Sequence, residues 1–295
     1  MKCALCPREC GADRSSAPGF CQGGKEIKIA KYMLHHWEEP PISGVRGSGA
    51  VFFSGCPLKC VYCQNKDISQ GGIGYEISKE RLSEIFLELQ RLGAHNINLV
   101  SPTHYSDGII EALELSGDRL NIPVVYNTGG YEKSEIIKNL GGCVDIYLTD
   151  MKYFSSELSS KYSRAPDYFE KSISALCQMV EQQPKAEFDE NGIMQRGVII
   201  RHLVLPSHRQ DSIALLSEIR KHIDIKNVKL SLMSQYTPDF YNGESKALRR
   251  RVTTFEYESV VSHAIDLGYD GYIQEKSSAT SIYTPDFSKN TNHNL

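Results

Sequence analysis

Two tight groups of cysteines constrain this chain more strongly than any other feature of its sequence. Seven of the nine cysteines lie within the first 63 residues. The upstream group is Cys3, Cys6, Cys10 and Cys21, and the downstream group is Cys56, Cys60 and Cys63. Thiols at such close spacings are typical of metal ligation, whereas disulfide frameworks belong to oxidising compartments. We expect the isolated Cys143 and Cys177 to be small buried hydrophobic residues.

Bulk composition excludes several classes of protein. The 295 residues have a formal net charge of −3 and an apolar fraction of 40%, which fits a globular chain with a sizeable core. This charge provides no basic footprint for nucleic acid. The apolar run Val198–Leu205 is interrupted by Arg201 and His202, so we predict no membrane segment. The first residues lack the apolar core of a secretory signal, and we therefore expect a cytoplasmic protein.

Composition divides the chain into three parts. Residues 1–45 are rich in Cys, Gly and Pro and show no sustained helical or strand period, which predicts a metal-binding knuckle followed by a linker. Residues 46–275 alternate short β-rich runs with longer amphipathic stretches and form the predicted main domain. Residues 276–295 are polar, and we expect this C-terminal tail to fray.

The main domain contains six predicted strands and six predicted helices. The strands are Ala50–Ser54, Asn96–Ser101, Pro123–Asn127, Val144–Thr149, Val198–Leu205 and Val228–Met233. The helices are Ser78–Leu92, Ser106–Leu115, Lys133–Leu140, Pro166–Glu181, Arg209–His222 and Thr254–Leu267. Ser78 and Gly93 supply cap chemistry at the two ends of the first helix.

This alternation of strands and helices predicts an α/β fold. Six βα units with a parallel sheet, in about 190 residues, suit a partial (β/α)6 barrel of the TIM type. A doubly wound open sheet is compatible with the same pattern. Both architectures collect active residues at the C-terminal ends of the strands, so the polar residues that follow each predicted strand are the first candidates for a site.

The downstream cysteines have the spacing C-x3-C-x2-C, directly after the first predicted strand. A [4Fe–4S] cluster contains four irons, so three thiolates leave one iron open to a small ligand. S-adenosylmethionine (SAM) can chelate that iron through its amino and carboxylate groups. The spacing alone leaves a second candidate open, a zinc ion whose fourth ligand is Cys143 or a histidine.

The run from Phe52 to Asn65, which reads FFSGCPLKCVYCQN, resembles the signature of the radical SAM superfamily. Its Cys-Gln-Asn ending resembles the pyruvate formate-lyase activating enzyme branch and uncharacterised relatives of that branch. The similarity extends from Cys3 to about Pro238. It implies a partial barrel with a small N-terminal knuckle.

The same resemblance implies an activity. A [4Fe–4S] cluster on Cys56, Cys60 and Cys63 would cleave SAM reductively to a 5′-deoxyadenosyl radical, as in an oxidoreductase. Reduced flavodoxin or ferredoxin is the implied electron donor. The implied substrate is a glycine of a partner protein, from which the radical takes a hydrogen atom. Around the cluster, Tyr62 offers a ring for the adenine, and Asn65 is a further candidate contact.

One part of the family pattern is absent. Activating enzymes carry Gly-Gly-Glu after the second strand, where it receives the amino group of SAM. This chain has Val-Ser-Pro-Thr-His at the equivalent place, residues 100–104. The resemblance then implies that backbone carbonyls near Ser101 and Thr103 take over this role. His104 is either a functional residue or a cap of the following helix.

Further SAM contacts are implied after the next strands. Activating enzymes carry Asp-Leu-Lys where this chain has Asp150-Met151-Lys152, and these groups bind the polar atoms and the carboxylate of SAM. A zwitterionic cofactor at the mouth of the sheet needs such a pair in any case, although a surface ion pair is the alternative. The remaining implied contacts are Asn127, Thr128, Arg201, Leu203 and Gln235, where Gln235 replaces a histidine of the family.

The knuckle provides enough thiols to close a tetrahedral site. Structural zinc on Cys3, Cys6, Cys10 and Cys21 is the simplest prediction, and a second iron–sulfur cluster is the alternative. The linker contains His35, His36, Glu38 and Glu39, which either line a substrate channel or belong to a solvated segment with a buried Trp37.

Three functions therefore compete. The first is activation of a glycyl radical in a partner protein. The second uses the same radical chemistry on a small molecule or another peptide, which the missing Gly-Gly-Glu favours. The third is a zinc-binding interaction protein without enzymatic activity.

Overall fold

One sheet organises the protein, whose computed structural model describes residues 2–241 and 243–274 together with Pro285 and Phe287. The strands of the described residues are β1 (Ile27–His35), β2 (Ser48–Phe53), β3 (Tyr75–Ile77), β4 (Ile97–Val100), β5 (Val124–Thr128), β6 (Ile146–Asp150), β7 (Glu187–Phe188), β8 (Met194–Leu203), β9 (Val228–Met233) and β10 (Gly271–Ile273). The prediction for the tail, residues 276–295, falls outside the described residues except for Pro285 and Phe287.

Helices connect most of these strands. They are α1 (Pro40–Ser43), α2 (Lys66–Ser69), α3 (Lys79–Arg91), α4 (Ser106–Ser116), α5 (Ser134–Asn139), α6 (Ser156–Ser163), α7 (Tyr168–Gln182), α8 (Arg209–His222) and α9 (Thr254–Leu267). Short 3-10 turns lie at Thr103–Tyr105, Gly117–Arg119, Ile225–Asn227, Pro238–Phe240 and Lys246–Arg249. Among the described residues, no helix is long and apolar enough to cross a membrane.

The order of the strands decides between the two predicted architectures. Strands β2, β4, β5, β6, β8, β9 and β10 are parallel neighbours in the same order as in the sequence. Each crossover therefore advances in one direction, as in a barrel, whereas a doubly wound sheet reverses its order at a switch point. The sheet is open, which confirms the α/β fold with a partial barrel.

The predicted elements of the main domain are confirmed to within a few residues. Arg209–His222, Thr254–Leu267 and Val228–Met233 have the predicted bounds. The Ser78 hydroxyl accepts a hydrogen bond from the Arg81 amide and caps α3 as expected.

The expectation that residues 1–45 contain no sustained strand is wrong for β1. This nine-residue strand pairs antiparallel with β2 on one side and β3 on the other. A register shift between Ile29 and Lys31 interrupts its alternation, which obscures the period of two in the sequence. Part of the predicted linker is thus a strand of the main sheet, next to the edge strand β3.

Strand periodicity places polar residues on the inner face of the sheet. Tyr147 of β6 packs in the cluster between sheet and helices, whereas Ile146 and Leu148 belong to a cluster on the opposite face. Successive side chains of a strand point to opposite faces, so Asp150 shares the inner face with Leu148. On β8, Arg201 lies two residues after Ile199 and therefore also faces the inside of the sheet.

The turn after β5 packs closely against the end of β6. Gly130 has φ +81°, and a Cβ atom there would lie 2.0 Å from the carbonyl oxygen of Asp150. Only glycine lets this turn approach the end of β6 so closely.

We predict that Gly130→Ala destabilises the protein by about 3 kcal/mol or more, because the methyl group adds overlap with Asp150 to left-handed backbone strain. Urea-induced unfolding measures the change. Gly142→Ala is the matched control, since Gly142 has φ +83° and nothing within 4 Å of the added Cβ. The control should lose only about 1–2 kcal/mol. Equal losses in the two variants would contradict the close approach at Gly130.

Candidate active site

A cavity of about 630 Å³ lies at the C-terminal ends of the parallel strands. Most of the predicted site residues line it: Cys56, Cys60, Tyr62, Cys63, Asn65, Ser101, Asn127, Thr128, Asp150, Lys152, Arg201, Leu203 and Gln235. Thr103 is the exception, because its hydroxyl points to the buried carboxylate of Glu132 at 2.5 Å. The sheet therefore gathers residues separated by as many as 179 positions (Cys56 to Gln235) around one space.

The cysteine loop leaves β2 through a glycine that touches the knuckle. Gly55 has φ +94°, and a Cβ there would lie 2.4 Å from the carbonyl oxygen of Cys21. The next amide, that of Cys56, donates a hydrogen bond of 3.0 Å to the same oxygen. The backbone of Gly55 is also bonded to Ile68 of α2, N to O at 2.8 Å. The loop is thus held from both sides by the chain itself.

Each thiol of the loop has a hydrogen-bonding neighbour. The Leu58 amide lies 3.4 Å from Cys56 Sγ. Two serine hydroxyls lie at 2.9 Å (Ser163 Oγ to Cys60 Sγ) and 3.4 Å (Ser69 Oγ to Cys63 Sγ). Burial raises the pKa of Cys60, so a cation is needed to hold its thiolate.

A chain of hydroxyls extends from the Cys60 thiol. Tyr153 Oη lies 2.8 Å from Ser163 Oγ, and Tyr62 Oη is bonded to Tyr153 Oη. A hydroxyl has one proton to donate, so a thiolate at Cys60 orients the chain as Tyr62 to Tyr153 to Ser163 to sulfur. Each bond in such a chain polarises the next.

Opposite charges meet at the ends of β6 and β8. Asp150 Oδ1 accepts from Arg201 Nε at 2.8 Å, and Asp150 Oδ2 accepts from Lys152 Nζ at 2.5 Å. Burial alone would raise the pKa of Asp150, but the two cations outweigh burial and hold the pKa below its usual value. Lys152 also faces the thiols, since Cys60 contributes to the upward shift of the lysine pKa.

Two acidic residues of the predicted linker enter the cavity. Glu38 accepts from Arg201 Nη1 at 3.3 Å and from Asn127 Nδ2 at 3.2 Å. Glu39 is 9% exposed, while Trp37 is 60% exposed. The alternative of a solvated segment with a buried Trp37 is therefore wrong. His35, His36, Glu38 and Glu39 all line the cavity, and its use as a substrate channel stays a prediction.

His104 lies beneath the knuckle and is absent from the cavity lining. Its Nε2 donates to the Ser54 carbonyl oxygen at 2.7 Å, and Arg14 Nη1 donates to the His104 carbonyl at 2.6 Å. Burial lowers the pKa of His104 to about 4, so the ring is neutral. It joins the knuckle to the end of β2 and does not cap α4.

The knuckle folds as a small hairpin. Lys2 and Asp13 form an antiparallel bridge. Around Gly19, an added Cβ would lie 3.3 Å from Cys10 Sγ and 3.7 Å from Cys21 Sγ. Among the described residues, no three Cys, His, Asp or Glu side chains are placed to hold one metal ion. Closure of the knuckle thiols around a metal stays a prediction.

Sequence reasoning missed several residues that support the site. They are Ser163, Tyr153 and Glu132, which contact the predicted residues Cys60, Tyr62 and Thr103 from other elements. Their partners are far away along the chain, as with the 103 positions between Cys60 and Ser163. No local spacing signals such a contact.

Comparison with known proteins shows which family the chain resembles. The sequence profile of the radical SAM superfamily matches residues 50–183. The uncharacterized protein MJ0674 of Methanocaldococcus jannaschii is 32% identical over 281 residues, which cover 91% of this chain and 77% of that protein.

Two solved structures share the fold at low sequence identity. A radical SAM methyltransferase from Sphaerobacter thermophilus has a TM-score of 0.52 at 12% identity, with 77% of this chain and 66% of that chain covered. Streptococcus suis SuiB bound to precursor peptide SuiA has a TM-score of 0.51 at 13% identity, with 75% of this chain covered. The present chain spans 46% of the SuiB chain.

A buried histidine beside the site generates a pH prediction. His202 Nδ1 donates to the Met151 carbonyl at 2.6 Å, and Ser212 Oγ lies 2.8 Å from Nε2. Burial lowers the pKa of His202 from 6.5 to about 4. A folded-state pKa below the unfolded one contributes stability that is complete above pH 6.5 and is lost as pH falls through 4.

We predict that His202→Gln removes part of this acid sensitivity, on the order of 3 kcal/mol, because glutamine does not titrate. Unfolding free energies at pH 7, 5.5 and 4.5 measure the effect. The gap between the parent and the variant should shrink as pH falls. Gln210→Ala, a change at an exposed residue of α8 that does not titrate, should leave the pH profile of the parent intact. A gap that is constant over this range would rule out a buried neutral His202.

Proposed function

The chain belongs to the radical SAM superfamily, and from this premise we propose that it cleaves SAM at a [4Fe–4S] cluster bound by Cys56, Cys60 and Cys63. The observation that carries the proposal is one cavity lined by these thiols together with Asp150 and Lys152. Members of this family are enzymes that bind SAM and a [4Fe–4S] cluster. Family membership thus argues against the alternative of a zinc-binding protein without activity.

The residues present fit such a cluster. Three thiols from one loop face the cavity, and each has a polar hydrogen within reach of sulfur. Hydrogen bonds to the sulfurs and a nearby Lys152 compensate the negative charge of the thiolates.

A cluster held by Cys56, Cys60 and Cys63 would supply the electron for reductive cleavage of SAM, and the radical so produced would take a hydrogen atom from the substrate. The chain's own residues orient SAM. Lys152, close to the thiols, is placed to bind the SAM carboxylate, and Asp150 holds the lysine in position. Reduced flavodoxin or ferredoxin is the proposed electron donor, since enzymes of this family use such reductants.

Other lining residues complete the proposed SAM site. We propose that Asn127 and Thr128 contact the polar atoms of SAM, and that Leu203, Tyr62 and Gln235 contact its adenosine. Further proposed contacts are Asn65, Ser101 and Arg201. The family's Gly-Gly-Glu has no counterpart here, and the backbone at Ser101 adopts a positive φ of 60° that turns it along the cavity. Thr103 supports this turn indirectly, through Glu132.

The substrate has two candidates. A glycine of a partner protein follows from the sequence resemblance to activating enzymes. A small molecule or another peptide is favoured by the polar cavity, into which Glu38 and Glu39 project, because a glycine backbone needs no carboxylate partner. The structural neighbour SuiB binds a precursor peptide, which supports a peptide as one form of the second candidate.

The knuckle is proposed to bind structural zinc, with a second iron–sulfur cluster as the alternative. Support comes from the clustering of its thiols, since Cys3 and Cys21 both contribute to raising the pKa of Cys6, after the larger effect of burial, to about 12. A metal would replace these protons and bind the thiolates. Through the contact from Cys21 to Cys56, an ordered knuckle would also hold the cysteine loop.

We predict that Cys56→Ala and Cys3→Ala each empty one metal site. Anaerobically purified Cys56→Ala should lose iron by about tenfold or more and yield no 5′-deoxyadenosine with SAM and dithionite, because two thiolates do not retain the cluster. Cys3→Ala should lose the knuckle metal and keep most of its iron if that metal is zinc. Metal analysis and chromatography of the nucleoside measure both results.

Cys177→Ala is the matched control, because this half-buried thiol on α7 lies outside both groups. Its metal content and SAM cleavage should equal those of the parent. A Cys56→Ala protein that retains iron and SAM cleavage would overturn the proposed function. A glycyl radical detected by electron paramagnetic resonance in an added partner would select the first substrate candidate, whereas 5′-deoxyadenosine without such a signal favours the second.

We also predict that Ser163→Ala shifts the midpoint potential of the cluster to a more negative value. The Ser163 hydroxyl, polarised by Tyr153, donates to Cys60 sulfur and stabilises the added electron. A redox titration followed by electron paramagnetic resonance measures the shift. Ser160→Ala, at an exposed position on the same helix, is the control. An unchanged potential in Ser163→Ala would contradict the hydrogen bond to sulfur.

A further inference from the structure

The cavity contains more carboxylates than cations among its described lining residues. Glu38, Glu39 and Asp150 supply the carboxylates, and Lys152 and Arg201 supply the cations. The side chains of all five are at least four-fifths removed from water, with exposed fractions of 8–20%. A buried charge needs a partner, so the way in which the two cations are shared decides which carboxylate is left over.

Two of the carboxylates are well paired. Asp150 contacts Lys152 at 2.5 Å and Arg201 at 2.8 Å. Glu38 contacts Arg201 at 3.3 Å and accepts from the Asn127 amide at 3.2 Å. Both cations are therefore already engaged by Asp150 and Glu38, each at hydrogen-bonding distance.

Glu39 is the carboxylate left over. Its Oε1 lies 3.9 Å from Arg201 Nε, too far for a hydrogen bond, and its buried Oε2 has no hydrogen-bonding partner in the part of the chain that the structure describes. The backbone fixes this side chain in place, because the Glu39 carbonyl accepts from the amides of Ile42 and Ser43 at the start of α1. Burial raises the pKa of Glu39 to about 7, as expected for a carboxylate that lacks a partner.

Lys152, Asp150, Arg201 and Glu38 form a row of charges. The thiols lie at the Lys152 end of this row, and Glu39 lies at the Arg201 end. Lys152 is electrostatically coupled to Cys56 and Cys60. Glu39 is coupled instead to Arg201, Glu38 and Asp150, and to Tyr272 beyond the β9 edge. The amino and carboxylate groups of SAM belong at the thiol end, beside the metal they chelate. Among the described residues no cation other than Arg201 pairs with Glu39, which leaves this place open to a cation from another molecule.

We propose that Glu39 binds the ammonium group of the substrate, and that the substrate class of this enzyme is accordingly the primary amines. This inference rests on the proposed function, because it assumes that the chain is an enzyme with a substrate. An ammonium group has three donors, which can satisfy Oε2 and share Oε1 with Arg201. It would also give the third carboxylate of the cavity a cation of its own.

The test uses n-butylammonium as a probe, with n-butanol as its uncharged counterpart. The reconstituted full-length protein with saturating SAM is titrated with each probe, and apparent dissociation constants are obtained from thermal shifts. The parent should bind n-butylammonium about tenfold or more tightly than n-butanol, and Glu39→Gln should lose that preference. The dissociation constant of SAM should stay within about twofold of the parent value. Glu26→Gln, at an exposed carboxylate, is the control.

Three outcomes would overturn the assignment. One is equal affinity of the parent for n-butylammonium and n-butanol, a measurement that needs no variant and stands even if Glu39→Gln fails to fold. Another is an undiminished preference in Glu39→Gln. The third is a loss of SAM affinity in Glu39→Gln that matches the loss of n-butylammonium affinity, which would assign the carboxylate to SAM itself.

Failure of the proposed function gives a different result. Cys56→Ala protein, titrated with n-butylammonium in the same way, should retain the preference for the amine, because Glu39 does not contact the thiols. If Cys56→Ala also retains SAM cleavage, the proposed function is wrong while the ammonium site stands. If Cys56→Ala loses cleavage and the parent shows no preference, the ammonium site alone is wrong.

Discussion

The ion pair between Asp150 and Arg201 is the constraint on which the arrangement of the site depends. The two residues are register partners on adjacent parallel strands, β6 and β8, and both face the inside of the open barrel. A buried charge without its partner would cost several kcal/mol, so each residue keeps the other in place. Lys152 and Glu38 add to the pair from either side. The floor of the cavity is therefore charged but rigid.

The cysteine loop depends on a different contact. Cys21 of the knuckle offers its carbonyl to the Cys56 amide, and Gly55 leaves room for that carbonyl. The knuckle thus packs against the cysteine loop in addition to providing a separate group of thiols. His104 and Arg14 extend the same contact to the end of β4, so the N-terminal segment and the barrel share one interface.

The composition of the lining divides the cavity into two ends. Thiols, Lys152 and a chain of hydroxyls occupy the end near β2, which suits a redox centre and the zwitterionic part of SAM. Glu38 and Glu39, supplied by the segment after β1, occupy the other end. This segment follows β1, which pairs antiparallel with the first parallel strand, so a part of the chain before the parallel strands supplies this end of the cavity.

The sequence by itself determined the alternation of strands and helices, the thiol loop after β2 and the polar residues at the ends of β5, β6 and β8, because each of these is written in local spacing. It did not reveal β1, whose alternation is interrupted by a register shift at Ile29. Only the tertiary structure decided that Ser163 reaches Cys60, that Thr103 turns to Glu132 and that Glu39 Oε2 has no hydrogen-bonding partner among the described residues. Those contacts join residues that are far apart in the chain, and which of several buried charges stays unpaired depends on distances that no spacing encodes.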